Sequence, residues 1–559
     1  MDHELRFDVA DQRLQYSGMQ KAEPFGPDHV VEFNHRHGTV LARYGLSLSR
    51  ARKTLLADTL NNQSNLGALR NRQVRESVIV AAALSAVAVG LHGRGSLTRY
   101  AQSEITSDLT NRLKRANDRI AAQIMSEVLQ TTTECLPPGE EVLIASTITE
   151  GVRAKPGYEA GGNPTIAVGA LFGKQKHRTR YGLPMQRDVA LLSMGNDVID
   201  GTTKSVKGTH SSLTCLFLTE SNVKRHLPDI YVQRWASGSY FEEFNPRETG
   251  LLESAEIVAH ASGLSRISDL AAFFLDRKRH YPAMEELNRA GICTPYDGDG
   301  DLFPTVILDQ NALHFPDGHR LNSMIGEIGG SAEWAVGVLP LVWRGGQAIG
   351  MLTSQSVLTR TELSAERLWA ERFHFTEDEF IMIQDARFEH KPYFSIRDIL
   401  EDPFAGGISA FGAITDNYYL PQMKGVTTDP TTGSVSVSVL TVNSMGMMEC
   451  WQLTFNCHEG PAATADLMTS PKERLSGLTG AALEKAIAAL LENEDTNWRF
   501  RICFGNEYYP ALIPVRDKTL LLRRAIDGLI DRGALDEHDR AIVEVTHRLA
   551  GDWFVPHDY

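Results

Sequence analysis

Asp197-Val198-Ile199-Asp200-Gly201-Thr202-Thr203 sets two carboxylates three residues apart and follows them with a glycine and two hydroxyls. The run before it, Val189-Ala190-Leu191-Leu192-Ser193-Met194-Gly195, reads as a buried strand, so the acids are expected at a strand's C-terminal end. Hard divalent cations take carboxylate oxygens. Backbone N–H groups exposed beside a glycine can receive a phosphate oxygen. A turn selected only for its Asp, Gly and Thr would read the same way, so the rest of the chain has to decide.

The whole sequence narrows the field. Its 559 residues suffice for two to four domains. The net charge of −14 argues against a nucleic-acid partner but leaves small anionic substrates open. The acidic, polar start Met1-Asp2-His3-Glu4 is unlike a secretory signal. The longest apolar run, 78–91, falls short of the roughly 20 residues that span a bilayer, so no membrane partner is expected and a buried helix is. Six scattered cysteines without a CxxC pair suggest a reduced, cytoplasmic protein with neither a disulfide framework nor a zinc knuckle.

Periodicity predicts helices over 75–90 and 105–130, then strands over 142–144, 165–170, 189–194 and 213–218. Helices are expected again over 254–262, 267–273 and 281–290, and an antiparallel strand pair over 435–440 and 448–455. This alternation is that of a layered α/β fold. The expected divisions are an N-terminal extension with short helices (1–70), an α/β domain carrying the acids (71–250), a second α/β domain (251–460) and a mainly helical C-terminal extension (461–559).

Other clusters each carry two readings. Asp276-Arg277-Lys278-Arg279-His280 follows Phe273-Phe274-Leu275 and is either a phosphate clamp or a solvated charge run. Asp297-Gly298-Asp299-Gly300-Asp301 fails the EF-hand register at Leu302 and Leu308, leaving a sugar-hydroxyl or metal contact, or an acidic turn. Gly326-Glu327-Ile328-Gly329-Gly330-Ser331-Ala332-Glu333 fits neither phosphate-loop fingerprint, and either presents Glu333 or is a flexible loop. The basic run 174–180 reads as solvated, and His35 and His37 lack an evident third ligand.

Taken in order over roughly 75–460, these segments resemble the class II fructose-1,6-bisphosphatases of the lithium-sensitive, metal-dependent phosphatase superfamily. The matching pieces are Gly93-Arg94-Gly95, Asp197 through Thr203, Pro228-Asp229-Ile230-Tyr231, Leu275 through His280, Asp297-Gly298-Asp299, Gly329 through Trp334, and Ala410 to Asp416 with Lys424-Gly425-Val426. The resemblance implies a layered αβαβα sugar-phosphatase fold, like that of fructose-1,6-bisphosphatase and inositol monophosphatase. It also implies Mg2+ or Mn2+ as cofactor, a small sugar phosphate as substrate and a homo-oligomer. Asp197, Asp200 and Glu333 would hold metal. Gly201, Thr202 and Thr203 would hold the reacting phosphate, with the Thr202 hydroxyl orienting water or the leaving oxygen. Tyr231, Arg277 and Arg279 would hold the distal phosphate, and Asp297 and Asp299 the sugar hydroxyls.

Two departures stand out. Ser96-Leu97-Thr98 replaces the family's Asp-Lys-Asn, and Ile144-Ala145-Ser146-Thr147 falls where its Gly-Glu-Gly-Glu metal loop is expected. Glu104 and Glu150 are the nearby acids able to substitute. Val198 replaces a proline, and Gly346 to Gly350 lacks an acid. The expectation is therefore a sugar phosphatase with weakened metal binding and slow or absent turnover of fructose 1,6-bisphosphate. The alternatives are a repurposed lyase or dehydratase that binds a sugar phosphate, and a non-catalytic pseudophosphatase subunit.

Overall fold

Residues 21–58, expected as a helical extension, instead build one edge of the main sheet through strand β1 (Lys21–Pro24), helix α1 (Pro27–Arg43) and strand β2 (Leu46–Asp58). The computed structural model describes residues 5–12, 14–58, 69–151, 164–166, 170–177, 189–225, 227, 231–309, 312–353, 391–458, 475–492 and 537–550. Pro228, Asp229 and Ile230, and most of the expected helical extension over 461–559, lie outside them. Alternation of Leu46, Leu48 and Ala51 with polar neighbours gives β2 one buried face, which periodicity over so polar a segment conceals.

The alanine-rich run becomes α2 (Arg72–His92), capped by the Asn71 side chain accepting from Val74 N at 3.1 Å. The segment Arg72–Arg99 has the length and hydropathy of a bilayer span, but 83% of its most apolar window is buried inside the fold, so it is a core helix. Helix α3 (Ser107–Cys135) packs along it. Glu76 ties α1 to α2, accepting from Arg36 at 2.7 and 2.9 Å and from Arg72 at 2.9 Å, with His37 Nε2 3.1 Å away. Burial opposes ionisation, but His37, Arg36 and Arg72 together draw the Glu76 carboxyl down to about 2. Because the folded value lies below the ordinary 4.5, the stabilisation is complete above 4.5 and is lost as pH falls toward 2. Glu76→Gln is expected to lower Tm at neutral pH. Its deficit against the wild type should shrink through that acid window in parallel melts.

Beyond α3 the chain adds β3 (Val142–Thr149), β4 (Leu171–Phe172), β5 (Ala190–Asp200), the short helix α4 (Thr202–Lys207) and β6 (Leu213–Thr219). A second sheet begins with β7 (Tyr231–Ser237). After α5 (Leu251–Ala261), α6 (Tyr281–Arg289) and α7 (Leu302–Ile307) it gains β8 (Ser323–Gly330). Helix α8 (Ser331–Trp343), β9 (Gln347–Leu352) and β10 (Phe394–Ser395) follow. The chain then returns to the first sheet with β11 (Gly407–Ala413), β12 (Thr427–Thr428), β13 (Val435–Asn443) and β14 (Met447–Cys457). The large sheet has the order β1-β2-β14-β13-β11-β6-β5-β3-β4, with β12 beside β13; the small one is β8-β7-β9-β10.

Residue alternation explains the stacking. In β6, Leu216 and Leu218 join the core with α2 and α3, whereas Leu213, Cys215 and Phe217 join α8 and the second sheet. In β7, Val232 and Ala236 face α8, while Trp235 packs with Val258 and Met284 of α5 and α6. The layers therefore read α2/α3, large sheet, α7/α8, small sheet, α5/α6, the αβαβα arrangement expected.

Three expectations need correction. Strands of the large sheet come from both sides of residue 250, so a boundary there cuts through one sheet rather than between two domains. The helix expected over 267–273 is a single tight turn, Ile267–Asp269; the chain from Leu270 to Leu275 is buried throughout, which leaves no exposed face for a helical period. The glycine-rich 326–330 is the end of strand β8, paired to β7, and not a flexible loop. Of the C-terminal region, helices Gly480–Glu492 and Glu537–Ala550 are described and pack together, joined by Arg548 and Glu484 at 3.0 Å.

Candidate active site

Strand β5 runs through both acids and does not stop before them. Its register against β6 shifts between Asp197 and Asp200, and the two intervening residues, Val198 and Ile199, go into the α2/α3 core. Gly201 then turns the chain at φ 78°, where a Cβ would come within 3.1 Å of Ser211 O. Thr202 opens α4; its hydroxyl donates to Ile199 O at 3.0 Å and to Asp118 Oδ1 at 3.3 Å. Asn117, beside Asp118 on α3, donates to Ser205 Oγ at 2.8 Å and to Gly93 O at 3.3 Å, fixing α3 against α4 and the Gly93–Gly95 turn.

Four carboxylates act on Asp197. Burial first, and then the charges of Glu150, Asp200, Glu333 and Asp118, hold its carboxyl well above the ordinary range. Asp118 is raised by burial and by Glu150, with Lys114 opposing. Asp200 is pushed up to about 7 by burial and Asp301, against the N–H that Phe303 donates at 3.0 Å. Glu333, in the first turn of α8, folds back over Gly330 so closely that a Cβ there would overlap its Oε2. Asp197 of β5 is thus within electrostatic reach of Asp200 on the same strand and of Glu333 on α8.

Two further acids act on Asp197: Asp118, which the sequence does not single out, and Glu150, one of the two acids expected to be able to substitute. Asp118 interrupts the long buried stretch of α3, and Glu150 sits at the end of β3 just before Gly151. The signal for Asp118 was present: an acid amid residues buried from Asn117 to Thr133 needs a reason. The loop expected to hold the missing acids instead places Ser146, Thr149, Thr165 and Asn196 in a buried network. Ser146 and Thr149 lie 2.9 Å apart, Asn196 donates to Thr149 at 3.2 Å, and Thr165 donates to Asn196 at 3.2 Å. Ser96 is buried, and its hydroxyl has no hydrogen-bond partner among the described residues.

Asp118, Asp197 and Asp200 are buried, with Glu150 and Glu333 half-buried, and buried like charges that act on one another require either protons or a cation. Asp118 Oδ2 is buried and has no hydrogen-bond partner among the described residues. Hard oxygen donors in this number suit Mg2+ or Mn2+. As they stand, no three such side chains are close enough to share one ion among the described residues. The donor chemistry fits the cation, and side-chain closure onto it would complete the site.

The other expected residues lie around the Asp297–Asp301 loop. Asp299 Oδ2 accepts from Thr203 N at 3.0 Å, and its Oδ1 lies 3.6 Å from Arg277, joining that arginine to the Thr202 turn. Arg277 also donates to Gly298 O at 2.8 Å. Arg279 donates to Ile328 O at 2.6 and 3.0 Å and lies over the Tyr231 ring, 5.1 Å from its centre. Asp297 is enclosed: Lys204 reaches it at 2.5 Å and the Tyr418 and Tyr419 hydroxyls both donate to it. His280 is neutral, its pKa lowered to about 4 by burial and by Arg279. Its Nδ1–H donates to Leu275 O at 2.7 Å and its Nε2 accepts from Ile328 N at 3.0 Å, pinning the arginine turn to β8.

Arg234 on β7 links the parts from beneath. Fully buried, it donates to Asp301 at 2.6 Å and Gly330 O at 3.3 Å, and lies 2.8 Å from Glu327.

Comparison with known proteins supports this fold. The family model described as bacterial fructose-1,6-bisphosphatase, glpX-encoded, matches residues 159–441. Two curated proteins named D-fructose 1,6-bisphosphatase class 2/sedoheptulose 1,7-bisphosphatase are similar. The one from Synechococcus sp. (strain JA-2-3B'a(2-13)) is 23% identical over 244 residues, and the one from Synechococcus sp. (strain JA-3-3Ab) is 22% identical over the same length. Each match covers 43% of this chain and 63% of the relative. Asp118 and Glu150 lie before the segment that the family model matches.

Proposed function

Because the chain belongs to the family of bacterial fructose-1,6-bisphosphatases, glpX-encoded, we propose that it hydrolyses a phosphate ester of a sugar bisphosphate with Mg2+ or Mn2+ as cofactor. The observation that carries this reading is the electrostatic action of Glu150, Asp200, Glu333 and Asp118 on the buried Asp197, beside the unpartnered, buried Asp118 Oδ2. These five would hold the cation, which when bound supplies Lewis-acid stabilisation of phosphate oxygen and lowers the pKa of water.

The chain's own groups account for the rest. Gly201, Thr202 and Thr203 would receive the reacting phosphate, with the Thr202 hydroxyl, now shared between Asp118 and Ile199 O, turning to the substrate oxygen. Arg277, whose side chain is 38% exposed, would meet the distal phosphate, and Arg279 with Tyr231 would form its wall. Asp299 is the accessible acid for sugar hydroxyls, since Asp297 is committed to Lys204 and two tyrosines. The free thiols at Cys135, Cys215, Cys293, Cys450 and Cys457 support a reducing, cytoplasmic setting.

Phosphate release from fructose 1,6-bisphosphate, sedoheptulose 1,7-bisphosphate and a panel of other sugar phosphates, with and without Mg2+ or Mn2+, tests the proposal. Metal-dependent release from a bisphosphate is expected. Ligand binding without release from any member would favour the repurposed or non-catalytic reading. Arg277→Ala is expected to weaken bisphosphate binding by about 1.5–3 kcal/mol, measured by calorimetry; an unchanged affinity would return Arg277 to the role of a solvated charge.

A further inference from the structure

At the far end of α2 from the carboxylates lies a cavity of about 500 Å3, between β1, the first turns of α1 and α2, and the β13–β14 hairpin. Its α2 lining residues, Arg72 to Ile79, lie roughly 20–30 Å from the Gly93–Gly95 turn, at 1.5 Å per residue. A ligand here is therefore not a substrate of the carboxylate centre. Its volume is that of a small-molecule site.

The lining has one unbalanced charge. Its three carboxylates are each paired: Glu23 with Lys21 at 3.1 Å, Glu76 with Arg36 at 2.7 Å, and Glu449 with Lys53 at 2.9 Å. Arg75 is half-buried, and its guanidinium makes no hydrogen bond or ion pair with the described residues. The Asn443 side-chain oxygen is spent on Met445 N and Met447 N, while its amide N–H groups have no partner among the described residues. Both unengaged groups are donors. The remaining wall is apolar and aromatic, with Ile79, Met445 and Met447 beside Phe25 and Trp451, whose rings meet edge-on at 5.4 Å. The indole N–H is already given to Thr441 at 3.1 Å, so Trp451 offers its ring.

We propose that this cavity is a second ligand site, distinct from the carboxylate centre, that takes a small monoanion with a flat aromatic body. The anionic group meets Arg75 and the Asn443 amide, and the ring lies against Trp451 and the methionines.

The probe is 8-anilinonaphthalene-1-sulfonate, titrated into the full chain, with emission sensitised through tryptophan. Saturable binding of one probe per chain is expected. Arg75→Gln should weaken it at least about tenfold, as loss of a charge-assisted contact does. Arg75→Lys should retain most of the affinity, and Trp451→Phe should lower the sensitised emission while leaving binding measurable by calorimetry. Unchanged melting of each variant separates lost contacts from lost folding. Non-saturable binding, or equal affinity in wild type and Arg75→Gln, overturns the proposal. Because the cavity is remote from the carboxylates, a failure here leaves the phosphatase reading untouched, and the phosphate-release assay tests that reading alone.

Discussion

Asp118→Asn and Glu150→Gln are each expected to cut metal-dependent phosphate release by at least about a hundredfold, in the range that follows disruption of a catalytic metal's ligand set. Both acids act on Asp197 in the folded protein, although neither belongs to the motif that contains it. The substitutions are nearly isosteric and remove charge from a place already too rich in it, so the fold should hold or even gain stability without metal. The kinetic assay should therefore be paired with melts in chelator and in Mg2+. Wild type is expected to gain Tm on adding Mg2+, and both variants to gain much less. If the site consisted only of Asp197, Asp200 and Glu333, both substitutions would be nearly silent.

Arg234→Met is expected to destabilise the protein by about 3–5 kcal/mol, the cost of leaving buried charges without their partner. Arg234 is the buried cation between Asp301, Glu327 and the Gly330 carbonyl. Burial already pushes the Glu327 carboxyl up to about 7, with Arg234 opposing. Without the arginine, Glu327 and Asp301 would have to take up protons to stay buried. A carboxyl raised in the folded state favours folding at low pH and loses that advantage as pH rises through its folded value. The deficit of Arg234→Met should thus grow on going from acid toward alkaline pH in denaturant melts. A deficit that is small and independent of pH would mean that the triad does not hold β7, β8 and the Asp301 loop together.

How far the sequence carried the account depends on locality. Val189–Gly195 ahead of Asp197 was legible because an apolar strand ending in Asp and Gly is a local pattern, and the layer order followed from alternating elements. Strand β2 was not legible, since only one face is buried and charged residues such as Arg50 and Arg52 fill the other. The arginine turn was readable as an anion site or a charge run. Its hydrogen bonds to Ile328 O and Gly298 O depend on strands and loops far away in sequence. Asp118 was not legible, and Glu150 only as one of two acids able to substitute, for a related reason. The family's spacing points to acids after Gly95 and within 144–147, whereas Asp118 lies mid-helix and Glu150 beyond a bulge in β3. Burial and charge made them part of the site, and neither is visible in spacing alone.

The central claim is that Asp118, Glu150, Asp197, Asp200 and Glu333 make one divalent-cation centre. Calorimetric titration of the chelator-treated protein with Mn2+ tests it most directly, repeated on Asp118→Asn and on the control Glu104→Gln, whose acid caps a turn by accepting from Ala101 N at 2.7 Å. The account predicts saturable binding in wild type and in the control, with affinity lowered at least about tenfold in Asp118→Asn. Equal Mn2+ affinity in all three proteins, or no saturable binding to the wild type, would contradict it.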